Sequence, residues 1–341
     1  MMRIGVLGAG RIGRRHIDLI RQSTECVLAG VADPFRPADA ATLSGGARWH
    51  ADLDALLSDP GLDGIIVATP NEMHVEHGLA CLAAGIPTLI EKPIASTMAG
   101  GLALADAAEQ RGIPLLVGHH RRHSSHIAVA RAAIRAGSIG DVVAVSGAAL
   151  FCKPSDYFTG APWRAQPGGG PLLINLVHEI DDLRALCGDI VGVQAVASSA
   201  KRRHAVEDSA AVVLEFSSGA LGTFTISDVA AAPWSWEQTS GEDPSYARYP
   251  SEDCYLIAGT KGSLAVPSMR MWTAADGPSW HEQMELTVLG AEPADPLERQ
   301  LAHFCAVVRG DASPLVTGRD AVETLRVTLA VVEAAGPPRQ H

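Results

Sequence analysis

The sequence predicts an α/β fold whose first third is a doubly wound parallel sheet. Two observations carry this. Short apolar strand patterns alternate with helical patterns six times before residue 118, as expected of parallel strands joined by crossover helices. The first strand also runs directly into Gly8-Ala9-Gly10-Arg11-Ile12-Gly13 and then into a helix. That context is what gives a glycine-rich loop meaning.

Residues 3–7 read as the first buried strand. Gly8 permits the tight turn after it, Gly10 lets a pyrophosphate approach the backbone, and Gly13 lets the helix pack closely on the strand. Arg11 and Ile12 open that helix, whose free N–H groups and positive dipole end suit phosphate. The second strand, 26–32, ends in Asp33, 20 residues after Gly13. An acid there accepts both ribose hydroxyls of NAD and repels a 2′-phosphate, so NAD is expected over NADP. Arg36 works against this, because an arginine so close can pair with a 2′-phosphate.

A helix at 38–43, a short strand near Trp49 and a helix at 52–57 follow. Residues 64–68 form a strand leading to Thr69-Pro70-Asn71 and His74. Asn71 is placed either to hydrogen-bond ribose or carboxamide or to cap the next helix. After a helix over 73–84, the strand 87–90 delivers Glu91 and Lys92 to its carboxyl end, where Pro93 forbids continuation. Ligands of an open parallel sheet sit outside the carboxyl ends of its strands. Lys92 is therefore a candidate for chemistry, a solvated loop lysine being the plain alternative. Ser96 is read as the cap of a helix to Gln110, and 115–117 as the sixth strand. The cofactor-side set is Gly8, Gly10, Arg11, Ile12, Gly13, Asp33, Thr69, Asn71, His74, Glu91 and Lys92, with Glu91 also holding the local structure.

The bulk properties bound the function. With 341 residues, two domains with sizeable cores are expected. The balance of 27 Lys+Arg against 38 Asp+Glu, net −11, argues against nucleic-acid and anionic-membrane binding. The 6 cysteines are scattered without a C-x-x-C pair, which suits reduced thiols in the cytoplasm. The N-terminus enters a strand at once, so no signal peptide is expected, and no apolar run is long enough for a membrane span. His119, His120, His123 and His126 raise a metal hypothesis, but no acid or thiol lies nearby in sequence and no metal is expected.

Beyond this, 127–136 reads as a helix and 142–151 as a strand. The loop 152–170 carries Lys153, Tyr157, Trp163 and Arg164. Gly168-Gly169-Gly170-Pro171 opens a helix on which Leu172, Leu176, Ile180 and Leu183 form one stripe. Asn175, His178, Asp181 and Asp182 fall opposite, as a solvated face or as a histidine whose neighbouring acids orient it for acid/base work. Strands are expected at 190–199, 209–216, 220–227, 255–258, 262–266 and 285–289, with helices at 296–308 and 319–333. The segment 231–253 is rich in aromatics, as a sugar-stacking wall or as a packed or subunit-contacting loop. Residues 336–341 are expected to be a disordered tail.

Gly8 to Gly13, Ala68-Thr69-Pro70-Asn71 with His74, and Glu91-Lys92-Pro93 together resemble the glucose–fructose oxidoreductase / inositol dehydrogenase / MocA family. The likeness extends nearly end to end. It implies a dinucleotide-binding Rossmann domain at 1–120. It also implies a substrate-binding and oligomerisation domain at 121–335, α+β, with a large, mostly antiparallel open sheet. Homodimers or homotetramers would form on that sheet. The resemblance makes Lys92 catalytic beside the nicotinamide, makes His178 the acid/base, and makes the Lys92–Pro93 bond cis. It places Arg121, with His120 and His123 as weaker candidates, in the substrate pocket, and the substrate-side set is completed by Tyr157, Trp163 and Asn175. Ile174 stands where many members have an aspartate, and Asn175 comes three before the histidine instead. The implied activity is NAD-dependent oxidation of a secondary hydroxyl of a sugar, cyclitol or related polyol. The alternatives are an NAD-retaining glycosidase or lyase and a non-catalytic NAD-sensing regulator.

Overall fold

The computed structural model describes residues 1–274 and 277–339. Two compact units divide the chain: Met1–His120 with Pro296–Leu325, and Arg121–Asp295 with Arg326–His341. In the first, β1 (Met2–Leu7), α1 (Arg11–Gln22), β2 (Cys26–Ala32), α2 (Ala40–Ser44), β3 (Arg48–His50), α3 (Leu53–Leu57), β4 (Gly64–Val67), α4 (His74–Ala83), β5 (Thr88–Ile90), α5 (Met98–Arg111) and β6 (Leu115–Val117) succeed one another. The sheet runs β3-β2-β1-β4-β5-β6 with every pair parallel. The order reverses between β1 and β4, and a doubly wound sheet binds ligands outside the carboxyl ends at such a point. Thr97, not Ser96, caps α5: it is the residue in extended conformation, and its Oγ1 accepts from Gly100 N–H at 3.2 Å.

The second unit holds α6 (Ser125–Arg135), β7 (Val142–Leu150), α7 (Ser155–Thr159), α8 (Val177–Cys187), β8 (Ile190–Ser198), β9 (Ser209–Phe216), β10 (Leu221–Ser227), α9 (Trp236–Thr239), β11 (Tyr255–Gly259), β12 (Gly262–Val266), β13 (Arg270–Thr273) and β14 (Glu285–Val288). Its sheet runs β14-β13-β12-β11-β7-β10-β9-β8. Among the described strands of this sheet, β7 and β10 pair in parallel and the other neighbours pair antiparallel. The sequence did not announce β13, four residues that follow Met269 at a φ of 61°. Strict alternation on β9 buries Ala210, Val212, Leu214 and Phe216. They pack in one core with Leu176, Ile180 and Leu183.

Two assignments change. The helix α10 (Pro296–Arg309) and the start of α11 (Gly318–Ala335) belong to the first unit, although the sequence assigned them to the second. Leu301, Phe304 and Cys305 pack with Ile4, Val6 and Ile17 there; an apolar helix stripe says that it is buried, not against what. The tail is not disordered at 336–339, because Arg339 N donates to Ala197 O at 3.0 Å and Arg339 O accepts from Ser199 N at 2.9 Å. Positions 340–341 lie outside the described residues. Among the described residues, no helix is long and apolar enough to cross a membrane.

Candidate active site

In the first unit the glycine loop is closed at two positions and open at one. Gly8 has φ +94°, and a Cβ added there would lie 2.6 Å from Ala68 O. A Cβ on Gly13 would collide with Gly8 O. At Gly10 an added Cβ meets nothing within 4 Å, and no side chain caps the N-terminus of α1. The two closed glycines fix the turn, and the open one leaves the backbone approachable, which suits a pyrophosphate. Asp33 accepts from Ala9 N–H through Oδ2 at 2.7 Å and from Phe35 N–H through Oδ1 at 2.8 Å. It therefore ties the end of β2 to the loop and still has lone pairs for hydroxyls. The residues fit a dinucleotide. Arg36 is exposed.

The ends of β4 and β5 are joined by a residue assigned to the cofactor. His74 is fully buried, with Nε2 bonded to Thr69 O at 2.9 Å and Nδ1 to Pro93 O at 2.8 Å. Both ring nitrogens are used, so His74 clamps two strand ends rather than touching a ligand. Thr69 Oγ1 pairs with His77 Nδ1 at 3.1 Å. Asn71 is exposed and does not cap, since Pro70 precedes the 3-10 turn there. Glu91, expected on the cofactor side, turns inward instead: it is 6% exposed, and Oε1 meets His16 Nε2 at 2.7 Å. Burial alone would raise this carboxyl, but the His16 hydrogen bond, with the charges of His16, His120 and Lys92, brings it below the usual carboxylate range. Lys92 follows at the carboxyl end of β5, half-buried, and the Lys92–Pro93 bond is cis.

In the second unit the helix of His178 begins with one π-type turn, Leu172–Leu176, before α8. Glu207 Oε1 accepts from Leu172 N–H at 2.9 Å, placing a carboxylate at the positive end of the helix. His178, on the first turn of α8, is 8% exposed. Opposite the leucine stripe, Asp181 and Asp182 are buried rather than solvated, and Glu179, on the stripe beside Leu176 and Leu183, is buried with them, all three at 1% exposure or less. Their partners are arginines. Arg121 Nη1 donates to Glu179 at 2.8 Å and Asp182 at 3.3 Å, and Nη2 donates to Glu237 at 2.6 Å. Arg122 donates to Asp181 at 3.2 Å. Tyr255 O–H bonds Glu179 and reaches Asp182 at 3.0 Å. Arg121 is thus a buried network centre, not a hand for substrate, because its guanidinium donors are already taken by three acidic side chains. Of the aromatics at 231–253, Trp236 is core, stacked on Tyr255 with Arg121 over its ring, while Trp234, Tyr246 and Tyr249 are exposed.

Asn175 accepts from Lys153 Nζ at 2.6 Å. Tyr157 is half-buried, with Arg164 at 3.9 Å and Lys153 at 4.8 Å from its ring centre, and Trp163 is 55% exposed. His120 is half-buried in the turn after β6 and belongs to the first unit. Sequence reasoning passed over Glu179, His16 and Tyr255. Only Glu179 left a signal, an acid set among the leucines of the helix's apolar stripe. Among the described residues no cluster of three or more His, Cys, Asp and Glu side chains is arranged to hold a metal.

A doubly wound parallel sheet with this loop, Asp33 at the next strand end and a basic residue at the end of β5 defines an NAD-binding Rossmann oxidoreductase. The chain belongs to the GFO/IDH/MocA oxidoreductases: the family's NAD-binding Rossmann fold matches residues 2–119 and its C-terminal domain matches 127–265. The 1,5-anhydro-D-fructose reductase of Ensifer adhaerens is 29% identical over 340 residues, covering 98% of this chain and 96% of that one. The scyllo-inositol 2-dehydrogenase (NAD(+)) of Bacillus subtilis is 28% identical, covering 98% and 94%. The solved WlbA dehydrogenase of Bordetella pertussis, in complex with NADH and UDP-GlcNAcA, superposes with a TM-score of 0.77 at 24% identity, over 98% of this chain and 96% of that one.

Proposed function

We propose that the protein is an NAD-dependent dehydrogenase that oxidises a secondary hydroxyl of a sugar, cyclitol or related polyol. The observation that carries this is the near full-length kinship with oxidoreductases named for such substrates. NAD, when bound, supplies the hydride acceptor. Gly8, Gly10, Gly13 and the N-terminus of α1 hold its phosphates, and Asp33 its ribose. His178 removes the hydroxyl proton as general base through its imidazole. Lys92 stabilises the developing alkoxide with its ammonium. Thr69 and Asn71 stay on the cofactor side, and Asn175, Tyr157 and Trp163 on the substrate side. The protein works in the cytoplasm, a reading supported by six free cysteines, and as a homo-oligomer through the exposed face of its second sheet.

The test is turnover against a panel of sugars, cyclitols and sugar acids, following NADH absorbance with NAD and NADP in parallel. Lys92→Ala and His178→Ala each lower kcat by about a hundredfold or more, while the Kd for NAD stays within about threefold, since neither residue belongs to the phosphate or ribose cradle. Undiminished turnover in the Lys92 variant refutes the mechanism.

A further inference from the structure

Lys153 is a charged side chain that the mechanism above does not use. Its backbone is pinned on both sides. Lys153 N–H donates to Asp228 O at 2.8 Å, and Lys153 O accepts from Arg202 Nη2 at 2.7 Å. The segment therefore continues alongside the end of β10 and fixes where the side chain starts. Lys153 is 8% exposed, and among the described residues its ammonium makes one hydrogen bond, to Asn175 Oδ1 at 2.6 Å. Asn175 sits three residues before His178, so Lys153 is moored about one helical turn from the proposed base. Phe151 and Tyr157 wall it, with ring centres 5.4 and 4.8 Å from Nζ.

Nothing in this surround neutralises the ammonium fully. Asp228 Oδ2 is 3.9 Å away, too far for a hydrogen bond, while Asp228 Oδ1 is held by Arg202 Nε at 2.7 Å. Glu237 is held by Arg121, and Glu207 by Leu172 N–H. Asp228 and Glu237 attract the ammonium through space, and Arg164 and Arg202 oppose them. Burial pulls the Lys153 ammonium down to about 8 and pushes the Asp228 carboxyl up. Each partner shifts toward its neutral form, as a pair does when it is too widely spaced to offset its desolvation. An ammonium has three donors, and here two have no acceptor among the described residues.

We infer that Lys153, moored by Asn175, binds a carboxylate of the substrate, so that the polyol oxidised is a sugar acid rather than a neutral sugar or cyclitol. A carboxylate offers two acceptor oxygens and one negative charge, matching two vacant donors and one under-compensated cation. A neutral hydroxyl brings no charge, and a phosphate ester brings nearly two.

This inference rests on the dehydrogenase reading, and its experiment separates the two. Binding of D-gluconate, D-glucuronate, myo-inositol and D-glucose 6-phosphate to the NAD-loaded enzyme is measured by calorimetry, beside turnover on each and on a wider set of aldonates and uronates. The wild type binds at least one aldonate or uronate at least about tenfold more tightly than myo-inositol. Lys153→Met weakens that binding about thirtyfold or more and raises its KM with kcat changed far less. Lys153→Arg restores part of it, and binding of myo-inositol and of NAD moves less than about threefold. Tightest binding of myo-inositol or of the sugar phosphate overturns the carboxylate assignment, and so does equal loss of acid and neutral ligands in Lys153→Met. Acid binding that depends on Lys153 without NADH formation on any substrate keeps the site and defeats the dehydrogenase reading instead.

Discussion

Asp182 and Glu179 share one phenol donor, Tyr255, and one guanidinium, Arg121. Burial raises both carboxyls, and their mutual repulsion adds to the rise at Asp182, which Arg121 only partly opposes. The folded pair therefore keeps a proton to higher pH than free carboxyls do. Between the ordinary carboxyl range and that raised value, the native state binds more protons than the unfolded state, so stability falls as pH rises. Asp182→Asn keeps an oxygen for Tyr255 and removes the ionisable group. The variant's thermal midpoint, followed by scanning calorimetry from pH 5 to 8, should decline less steeply than that of the wild type. Parallel slopes would show that Asp182 takes no part in the linkage. Glu91 has the opposite sign, because its lowered pKa gives the first unit stability that is lost as pH falls below the usual carboxylate range. At this scale the sequence was least legible. Arg121 and His74 are the residue types expected in such a site, yet Arg121's partners lie 58, 61 and 116 residues away. No local pattern encodes which acids will meet a buried arginine.

The β1–loop–α1 element was read correctly from sequence because everything that defines it is local: an apolar run, three glycines at fixed spacing and a helix start within 12 residues. The same element makes a prediction that separates folding from binding. A methyl on Gly13 collides with Gly8 O, so Gly13→Ala forces α1 off the strand and costs about 1–3 kcal/mol of stability. Gly10 has φ −69° and open space around its Cβ position, so Gly10→Ala leaves stability within about 1 kcal/mol. The same methyl occupies the approach of a pyrophosphate, and NAD affinity should drop at least about tenfold. Calorimetric unfolding and NAD titration of the two variants check this, and unchanged affinity in Gly10→Ala would remove the loop from cofactor binding. By contrast, α10 was legible as an amphipathic helix but not as part of the first unit. Its stripe of Leu301, Phe304 and Cys305 would suit any apolar surface. The π-type turn at Leu172–Leu176 was equally hidden, because its leucine spacing continues the helical stripe.

For the molecule as a whole, the exposed face of the second sheet argues for assembly. A sheet face in contact with water normally alternates to charged residues. Here one row crosses five strands as Gln194, Val213, Thr223, Ser146 and Leu256, with no charge in it. Val213 is 40% and Leu256 54% exposed, and Val196 and Leu221 add to the same surface at 48% and 58%. Exposed valines and leucines gathered on one sheet face suit a partner surface better than open water, and a stable pair needs about 800 Å² from each partner, within reach of a sheet of eight strands. The same surface on two copies meets most simply about a twofold axis. In sedimentation equilibrium the wild type should run at two or four times the chain mass. Val213→Asp with Leu256→Asp puts two carboxylates into that row, where desolvation opposes pairing, and should give the single-chain mass. Both side chains point away from the core of their own unit, so the far-ultraviolet circular dichroism should not change. A double variant that keeps its wild-type mass places the interface elsewhere, and a wild type at single-chain mass leaves that face without a partner of its own kind.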